Sequence, residues 1–250
     1  MVRPVIQSMS GRRRFFTDKI DYPRETEVVL SGDEFIHAKT VQRVEEGTEI
    51  ILLDDSGNEY TAVVAKIDKK SLTAHIVKAE AGEREPVADI YLLCGALKGD
   101  KTELVVQKAC ELGASKIAVF SSEYCSAYIN ENKLERLNKV SREACKQCMR
   151  SRAPEVVWFK TLADALESAR DYANKLFACE FITVSEADIS KIEGSAAIVV
   201  GSEGGFSEEE YALAKRAGFS GITLGKRILR AETAAISLLS VTAFALGELK

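Results

Sequence analysis

The chain lacks the features of a membrane or secreted protein. None of its apolar runs approaches the roughly 18 residues of a membrane helix. The N-terminal stretch MVRPVIQSMSGRRRFF has no apolar core of a signal peptide. Strong net charge is also missing, since 250 residues carry only −4. We therefore expect a cytoplasmic protein in which any contact with nucleic acid depends on local basic surfaces.

Metal-binding residues are equally scarce. The single C-x-x-C pair, Cys145 and Cys148, has no second pair to complete a site, and His37 and His75 are far away in the sequence. Positions three apart share one face of a helix. We therefore predict that both thiols pack inward and that the protein binds no metal.

The chain changes its pattern near residue 85. Residues 48–80 alternate apolar and polar positions between tight turns, which predicts an antiparallel sheet or small barrel. Residues 81–89 are charged, contain Gly82 and Pro86, and lack periodicity, so they are the best candidate for a linker.

Strand and helix patterns alternate from residue 90 to the C-terminus. The predicted strands are DIYLLCGAL, KIAVF, VVWF, KLFACEF, AAIVV and GITL, and the predicted helices cover 100–113, 131–151, 161–175, 207–218 and the region from 232. Such alternation over about 160 residues predicts a parallel α/β sheet covered on both faces. Capping pairs support two helix starts, Asp100 with Glu103 and Ser207 with Glu210.

Two loops at strand ends stand out as a candidate site. The first, GSEGGFS (201–207), is not a phosphate-binding loop, because it lacks G-K-[ST] and carries carboxylates that would repel a polyphosphate. Alone it is equally compatible with a tight turn before a helix. The second, LGKRILRAET (224–233), also precedes a helix. Ligands bind beyond the carboxyl ends of strands in open α/β sheets, so two such loops after adjacent strands favour a non-phosphorylated cofactor that carries an adenosine.

Basic residues concentrate in two segments. GRRRFF contains Arg12, Arg13 and Arg14, and residues 133–152 carry seven Lys or Arg against two Glu. On a helix Lys139, Arg142, Lys146 and Arg150 form one stripe. A solvated helix face remains an alternative, but the one-sided excess favours contacts with phosphates of RNA.

These motifs, in this order, resemble one family. GRRRFF, LKGDKTELVVQKACELGA, EACKQCMRSRAPEV, VVGSEGGFSEEE and ITLGKRILRAETAAI are similar to motifs of the RsmE family, which methylates N3 of a uridine in 16S ribosomal RNA of the small ribosomal subunit. This family belongs to the SPOUT superfamily of RNA methyltransferases that use S-adenosyl-L-methionine.

The resemblance implies an α/β fold of two domains. Residues 1–85 would form a PUA-like β-barrel that binds RNA, with residues 1–10 as an extension. Residues 86–250 would form a SPOUT-type, trefoil-knotted parallel sheet domain. The resemblance further implies a homodimer whose S-adenosyl-L-methionine is held largely by backbone groups of three loops, residues 177–181, 201–205 and 224–230.

The resemblance also implies which residues form the site. Residues for the cofactor are Ala178, Gly201, Ser202, Glu203, Gly204, Gly205, Leu224, Gly225, Arg227, Ile228, Leu229, Arg230 and Thr233. Residues for RNA are Arg12, Arg13, Arg14, Lys98, Lys101, Lys139, Arg142, Lys146, Arg150 and Arg152. Ser202 stands where the family has a proline.

For catalysis we expect Arg230 to stabilise negative charge on the uridine carbonyls and Glu203 or Glu232 to accept the N3 proton. Two alternatives remain open at this point. The chain could be a non-enzymatic RNA-binding factor in ribosome assembly, or a SPOUT methyltransferase that acts on another RNA nucleotide.

Overall fold

The computed structural model describes residues 13–249, and the chain divides into two compact units. The first contains the chain up to Glu85 together with Met149–Arg152, and the second contains Pro86–Cys148 and the chain from Ala153 onwards. Residues 149–152, expected in the second domain, belong to the first unit. The reason is the Glu85 carboxylate, which accepts hydrogen bonds from the main-chain nitrogens of Ser151 (2.7 Å) and Arg152 (2.9 Å).

The first unit is built on a five-stranded sheet. Its strands are β1 (Arg14–Phe16), β2 (Glu27–Ser31), β3 (Glu49–Leu53), β4 (Asn58–Ile67) and β5 (Ser71–Ala81), in the order β1-β3-β4-β5-β2. The predicted antiparallel pairing of β3, β4 and β5 is confirmed, whereas β1 pairs parallel to β3. A short helix, α1 (Gly32–Ile36), and a π-helical turn, His37–Val41, follow β2. Phe15 is fully buried in the core of this unit.

The second unit is built on a six-stranded sheet. Its strands are β6 (Ile90–Gly95), β7 (Lys116–Phe120), β8 (Glu155–Phe159), β9 (Asn174–Ala178), β10 (Ala196–Val200) and β11 (Ser220–Ile222), in the order β11-β9-β10-β6-β7-β8. Every pairing in this sheet is parallel, which confirms the predicted parallel α/β sheet.

Helices cover both faces of the parallel sheet. They are α2 (Lys101–Glu111), α3 (Glu131–Cys148), α4 (Leu162–Ser168), α5 (Glu208–Arg216) and α6 (Ala231–Ala245), with a 3-10 turn at Ile189–Lys191. One apolar cluster joins the sheet to α2, α3 and α6, and a second joins it to α4 and α5. Alternate side chains of each strand therefore enter opposite clusters, as the apolar strand sequences require. None of the helices in residues 13–249 is long and apolar enough to cross a membrane.

Two predicted helices are shorter in the structure. The third helix ends at Cys148 rather than 151, because Met149 adopts a left-handed conformation (φ 68°) that cannot continue a helix. The fourth covers Leu162–Ser168 rather than 161–175. The capping box of Ser207 and Glu210 is confirmed.

Candidate active site

Three loops line one cavity at the carboxyl edge of the parallel sheet. They follow β9, β10 and β11, which are neighbours in the order β11-β9-β10. The cavity volume is about 900 Å³, within the usual range for sites that enclose a small molecule. The prediction that the loops after β10 and β11 follow adjacent strands was wrong, because β9 lies between them and its own loop completes the cavity.

The loop after β10, residues 201–207, is here named the glycine loop, and it forms a tight turn. The main-chain nitrogen of Gly205 donates to the carbonyl of Ser202 (3.0 Å), and Gly205 has φ +70°, which a glycine adopts without strain. Beneath this turn, a Cβ added to Gly95 would lie 2.5 Å from the nitrogen of Ser202. Glycine at the end of β6 therefore allows two backbone segments to touch, which fixes the floor of the cavity.

Packing holds the far end of the glycine loop. Phe206 is buried between Phe177, with ring centroids 4.2 Å apart, and Phe120, at 6.3 Å. In the capping box the hydroxyl of Ser207 accepts from the nitrogen of Glu210 (3.2 Å), and the Glu210 carboxylate accepts from the nitrogen of Ser207 (3.1 Å). Glu210 thus serves the start of α5 and not the cavity.

Lys101, at the start of α2, lies close to two carboxylates beside the cavity. Its ammonium lies 3.0 Å from Glu203 Oε1 and 3.7 Å from Glu232 Oε2, and the main-chain nitrogen of Lys98 donates to Glu203 (3.2 Å). Partial burial raises the pKa of Glu203, but the hydrogen bonds from Lys101 and from main-chain nitrogens outweigh it, so the pKa lies below its usual value. Burial, and then the negative charge of Glu203, raise the pKa of the nearby Cys94 thiol to about 12. This corner of the site therefore carries an ionised carboxylate and a neutral thiol.

The loop after β11, residues 224–230, is here named the arginine loop, and it is far more open. Ile228 is 92% exposed and Arg230 is exposed, although both line the cavity. Arg230 occupies the N-cap position of α6, where its carbonyl accepts from the nitrogen of Ala234 (2.8 Å). The start of α6 thus holds the main chain of Arg230 in place, while its guanidinium is exposed at the mouth of the cavity.

Most residues predicted for the cofactor line the cavity. Among the predicted residues, those that line it are Ala178, Gly201, Ser202, Glu203, Gly205, Leu224, Gly225, Arg227, Ile228, Leu229 and Arg230. Gly204, Thr233 and Glu232 are not among the lining residues; Gly204 lies instead against the backbone of Tyr124. Cys179, Glu180 and Lys226 also line the cavity, within the expected loops 177–181 and 224–230. Sequence reasoning missed the lining residues Ile182 and Thr183, which follow the first of these loops, and Ala234 on α6.

The cavity fits S-adenosyl-L-methionine in its chemistry. Glycines bring main-chain groups close to a ligand, and in the segments that line the cavity nothing resembles the lysine and serine pattern of a phosphate loop. Carboxylates of Glu180 and Glu203 on the lining suit a ligand that carries a sulfonium and an ammonium. Within residues 13–249 there is no cluster of His, Cys, Asp and Glu that would hold a metal ion.

Buried ion pairs occupy two of the predicted RNA-binding arginines. Arg14 is 5% exposed and binds Glu59 (2.7 Å), and it also donates to the carbonyl of Arg150 (3.0 Å). Arg150 is 4% exposed and binds Glu85 (3.1 Å). Leaving one such charge unpaired in the interior is costly. These arginines stabilise the first unit, and their burial argues against contact with phosphates.

The other cations near Arg14 in sequence or space differ in exposure. Arg13 is half-buried and donates to the carbonyl of Gln42 (3.2 Å). Arg152 is exposed and donates to the carbonyl of Ser56 (2.7 Å). Arg12 lies outside the described residues. Of this group, Arg152 is the best placed to meet RNA.

The cation stripe on α3 is shorter than predicted. Lys139 and Arg142 are exposed on the helix, whereas Lys146 is buried and lies 2.5 Å from Glu143. The prediction that Arg150 continues the stripe was wrong, because the helix ends before it. The exposed part of the stripe therefore consists of Lys139 and Arg142.

Comparisons with known proteins agree on one family. A family model described as an RNA methyltransferase domain matches residues 83–243, and one described as an RNA methyltransferase PUA domain matches residues 30–77. The chain is 32% identical to ribosomal RNA small subunit methyltransferase E of Mesomycoplasma hyopneumoniae, over 91% of this chain and 97% of that one. It is 29% identical to the Bacillus subtilis protein of the same name, over 86% and 89% of the two chains.

Solved structures extend the likeness to the whole fold. A ribosomal RNA small subunit methyltransferase E from Neisseria gonorrhoeae, bound to S-adenosyl methionine, has a TM-score of 0.85 at 28% identity, over 96% of this chain and 100% of that one. A methyltransferase from Legionella pneumophila with the same cofactor has a TM-score of 0.86 at 30% identity, over 95% and 99%.

Proposed function

Because this chain belongs to the RNA methyltransferase family of ribosomal RNA small subunit methyltransferase E, we propose that it methylates N3 of a uridine in 16S ribosomal RNA. Membership of the family and the shared fold make it an S-adenosylmethionine-dependent RNA methyltransferase. The observation that carries the finer proposal is the cavity of three loops within the matched methyltransferase domain, with an arginine at its mouth and an ionised carboxylate on its lining.

The chemistry sets two demands on the protein. When bound, S-adenosylmethionine supplies an electrophilic methyl group on a positively charged sulfur. Uridine N3 carries a proton and is a poor nucleophile until that proton leaves. The protein must therefore hold the two reactants in line and stabilise a uridine that is losing its proton.

Arg230 meets the second demand in our proposal. Its exposed guanidinium at the cavity mouth can bind the O2 or O4 carbonyl of the uridine, where negative charge develops as N3 loses its proton.

The two carboxylates differ in what they can do. Glu203 lines the cavity, and its lowered pKa keeps it ionised at neutral pH, so we assign it the role of accepting the N3 proton, directly or through a water molecule. Glu232 Oε2 is buried, 3.7 Å from the Lys101 ammonium, and has no hydrogen-bond partner among residues 13–249. Glu232 therefore acts in our proposal through Lys101, which it helps to hold against Glu203.

For binding the RNA backbone we propose the exposed cations Lys98, Lys139, Arg142 and Arg152, with Arg13 in a lesser role and Arg12 included from the sequence alone. Phosphate contacts by these side chains would make RNA affinity fall steeply with salt concentration. Lys101 is assigned to the cavity, where it neutralises carboxylates.

Two further properties belong to the proposal, a homodimer and a knotted path of the C-terminal part of the chain. Exposed apolar side chains on α6 support the homodimer, since Phe244 is 62% exposed and Val241 is 43% exposed. Light scattering of the protein and of Phe244→Asp would test it, with a dimer expected for the first and a monomer for the second.

A ribosomal RNA substrate also favours a location in the cytoplasm.

One pair of measurements tests the proposed function. Calorimetry with S-adenosylmethionine should detect one site per chain, and a non-enzymatic assembly factor would give no heat of binding. Mapping modified nucleosides in 16S ribosomal RNA should then find one 3-methyluridine absent from a strain that lacks this protein. Loss of a different methylated nucleoside would favour a different target, and no change would refute methylation of this RNA.

A further inference from the structure

The loop after β7, residues 121–130, presents aromatic side chains that the proposed reaction does not use. We name it the aromatic loop. Tyr124 is 52% exposed and Tyr128 is 72% exposed. Tyr128 also makes an edge-to-face contact with Trp158 on β8, with ring centroids 6.1 Å apart. Two exposed tyrosines and a half-buried tryptophan at one edge of the sheet form an exposed aromatic patch, and such patches commonly mark binding sites.

The aromatic loop lies directly against the glycine loop. A Cβ added to Gly204 would lie 2.6 Å from both Cβ and the carbonyl oxygen of Tyr124. The adjacent Glu123 nitrogen donates to Glu210 of the capping box (2.9 Å). Tyr124 therefore packs against the glycine loop next to Glu203 and Gly205, which line the cavity.

Contacts on both sides of Tyr124 hold its backbone. The nitrogen of Cys125 donates to the carbonyl of Ser122 (3.0 Å), and the thiol of Cys125 donates to the carbonyl of Ala96 (3.2 Å). Ile129, between Tyr128 and the start of α3, is 2% exposed and packs in the core. The rings are thus exposed on a fixed backbone, so binding through them costs little conformational entropy.

We propose that the aromatic loop is a stacking site for unpaired nucleobases of the RNA that flank the target uridine. Tyr124 would hold a base next to the cofactor cavity, and Tyr128 with Trp158 would hold another farther along the strand. The proposal rests on the proposed function, because it requires an RNA substrate. Exposed carboxylates of Glu123 and Glu131 flank the tyrosines and disfavour phosphates here, so bases rather than backbone would face this loop.

The single tryptophan of the chain makes the proposal directly measurable. Single-stranded oligouridine should quench the fluorescence of Trp158, with fluorescence polarisation of a labelled strand measuring the same binding independently. Tyr124→Ala and Tyr128→Ala should each weaken binding by roughly 5- to 150-fold, the range found for one stacked base. Tyr124→Phe and Tyr128→Phe keep a ring and should bind within about twofold of the wild type.

Calorimetry with S-adenosylmethionine controls for folding, since each variant should keep the wild-type affinity for the cofactor. Stacking would be overturned by unchanged Trp158 emission at saturation, by alanine variants that bind like the wild type, or by equal affinity for an RNA duplex of the same length. The readouts need no methyl transfer. A protein that binds oligouridine through these rings and leaves ribosomal RNA unmethylated would refute the proposed function and retain the stacking site.

Discussion

The glycine loop (201–207) and the arginine loop (224–230) line the same cavity but are held in different ways. The glycine loop closes on itself by a hydrogen bond, packs against Gly95, and contains Phe206, which is 1% exposed. In the arginine loop, a Cβ added to Gly225 would meet nothing within 4 Å in the described part of the chain, apart from the two residues next to it in sequence. Ile228 in the same loop is 92% exposed.

Because of this difference, substitutions in the two loops should affect different properties of the protein. Packing and hydrogen bonds specify the glycine loop before any ligand arrives, so changes there should reduce folding stability and cofactor affinity together. Few contacts specify the arginine loop, so changes there should reduce activity while folding stability stays the same. The first three of the following measurements would break or sharpen that contrast.

Truncation of one buried and one exposed apolar side chain should give the largest difference. Phe206→Ala removes a ring packed against Phe177 and Phe120, and we expect the free energy of unfolding to fall by about 3–5 kcal/mol. Ile228→Ala, in the arginine loop, should change it by less than about 0.5 kcal/mol. Urea denaturation of both variants measures this, and similar losses would mean that the two loops are equally well packed.

Removal of the guanidinium from the arginine loop should affect the rate. Arg230→Ala should lower the methylation rate about 10²- to 10³-fold, as expected for loss of a group that stabilises developing negative charge. Unfolding free energy should stay within about 0.5 kcal/mol of the wild type. Arg230→Lys keeps the positive charge but loses the planar guanidinium, so its methylation rate should lie between those of the wild type and Arg230→Ala. Full methylation by Arg230→Ala with retained cofactor binding would contradict the assignment.

A methyl group under the glycine loop should have a smaller effect on both properties. Gly95→Ala places a carbon 2.5 Å from the nitrogen of Ser202, so backbone must shift, at a cost of about 1–3 kcal/mol in folding. Cofactor affinity, measured by calorimetry, should fall with it. Gly95→Ser adds one more atom and should be worse in both measurements. An alanine variant with wild-type stability and affinity would show that the glycine loop is not held from below.

The smallest expected effect is a pH dependence from Glu186, in the segment that follows β9. Its carboxylate accepts from Lys215 (2.6 Å), from the nitrogen of Gly221 and from Tyr211 (2.8 Å), which lowers its pKa from 4.5 to about 2. A lowered folded-state pKa stabilises the protein above pH 4.5, and this stabilisation is lost as the pH falls towards 2.

Glu186→Gln should therefore lose part of the difference in stability between pH 7 and pH 3. Solvent screens this exposed group, so we expect a change of at most about 1 kcal/mol. Urea midpoints at the two pH values measure it. An unchanged difference between them would mean that Glu186 titrates alike in the folded and unfolded chain.

Local signals in the sequence predicted most of the strands and the glycine loop. The capping box of Ser207 and Glu210 was predictable because its two partners lie three residues apart at the start of one helix. Asp100 and Glu103 have the same spacing, yet Asp100 makes no side-chain cap, and Glu103 binds Arg136 (2.9 Å) on α3. That outcome depends on which helices pack together, and residue spacing does not contain this information.

The site was predicted in part for the same reason. Strand ends followed by glycine or arginine marked two of its three loops, but the position of β9 between β10 and β11 is a matter of sheet order. Charge and spacing in the sequence located the cationic residues but did not reveal which of them are buried. One residue, Met149, ends α3 and separates Arg150 from the exposed Lys139 and Arg142.

The first unit includes Met149–Arg152, and this has a consequence for how the protein is made. A growing chain that has emerged only as far as Glu85 contains all five strands of the first sheet. It still lacks Arg150, the partner of Glu85, and the main-chain carbonyl that Arg14 binds. The first unit therefore reaches its final form only after more than half of the polypeptide has left the ribosome, so its folding cannot finish strictly from N-terminus to C-terminus.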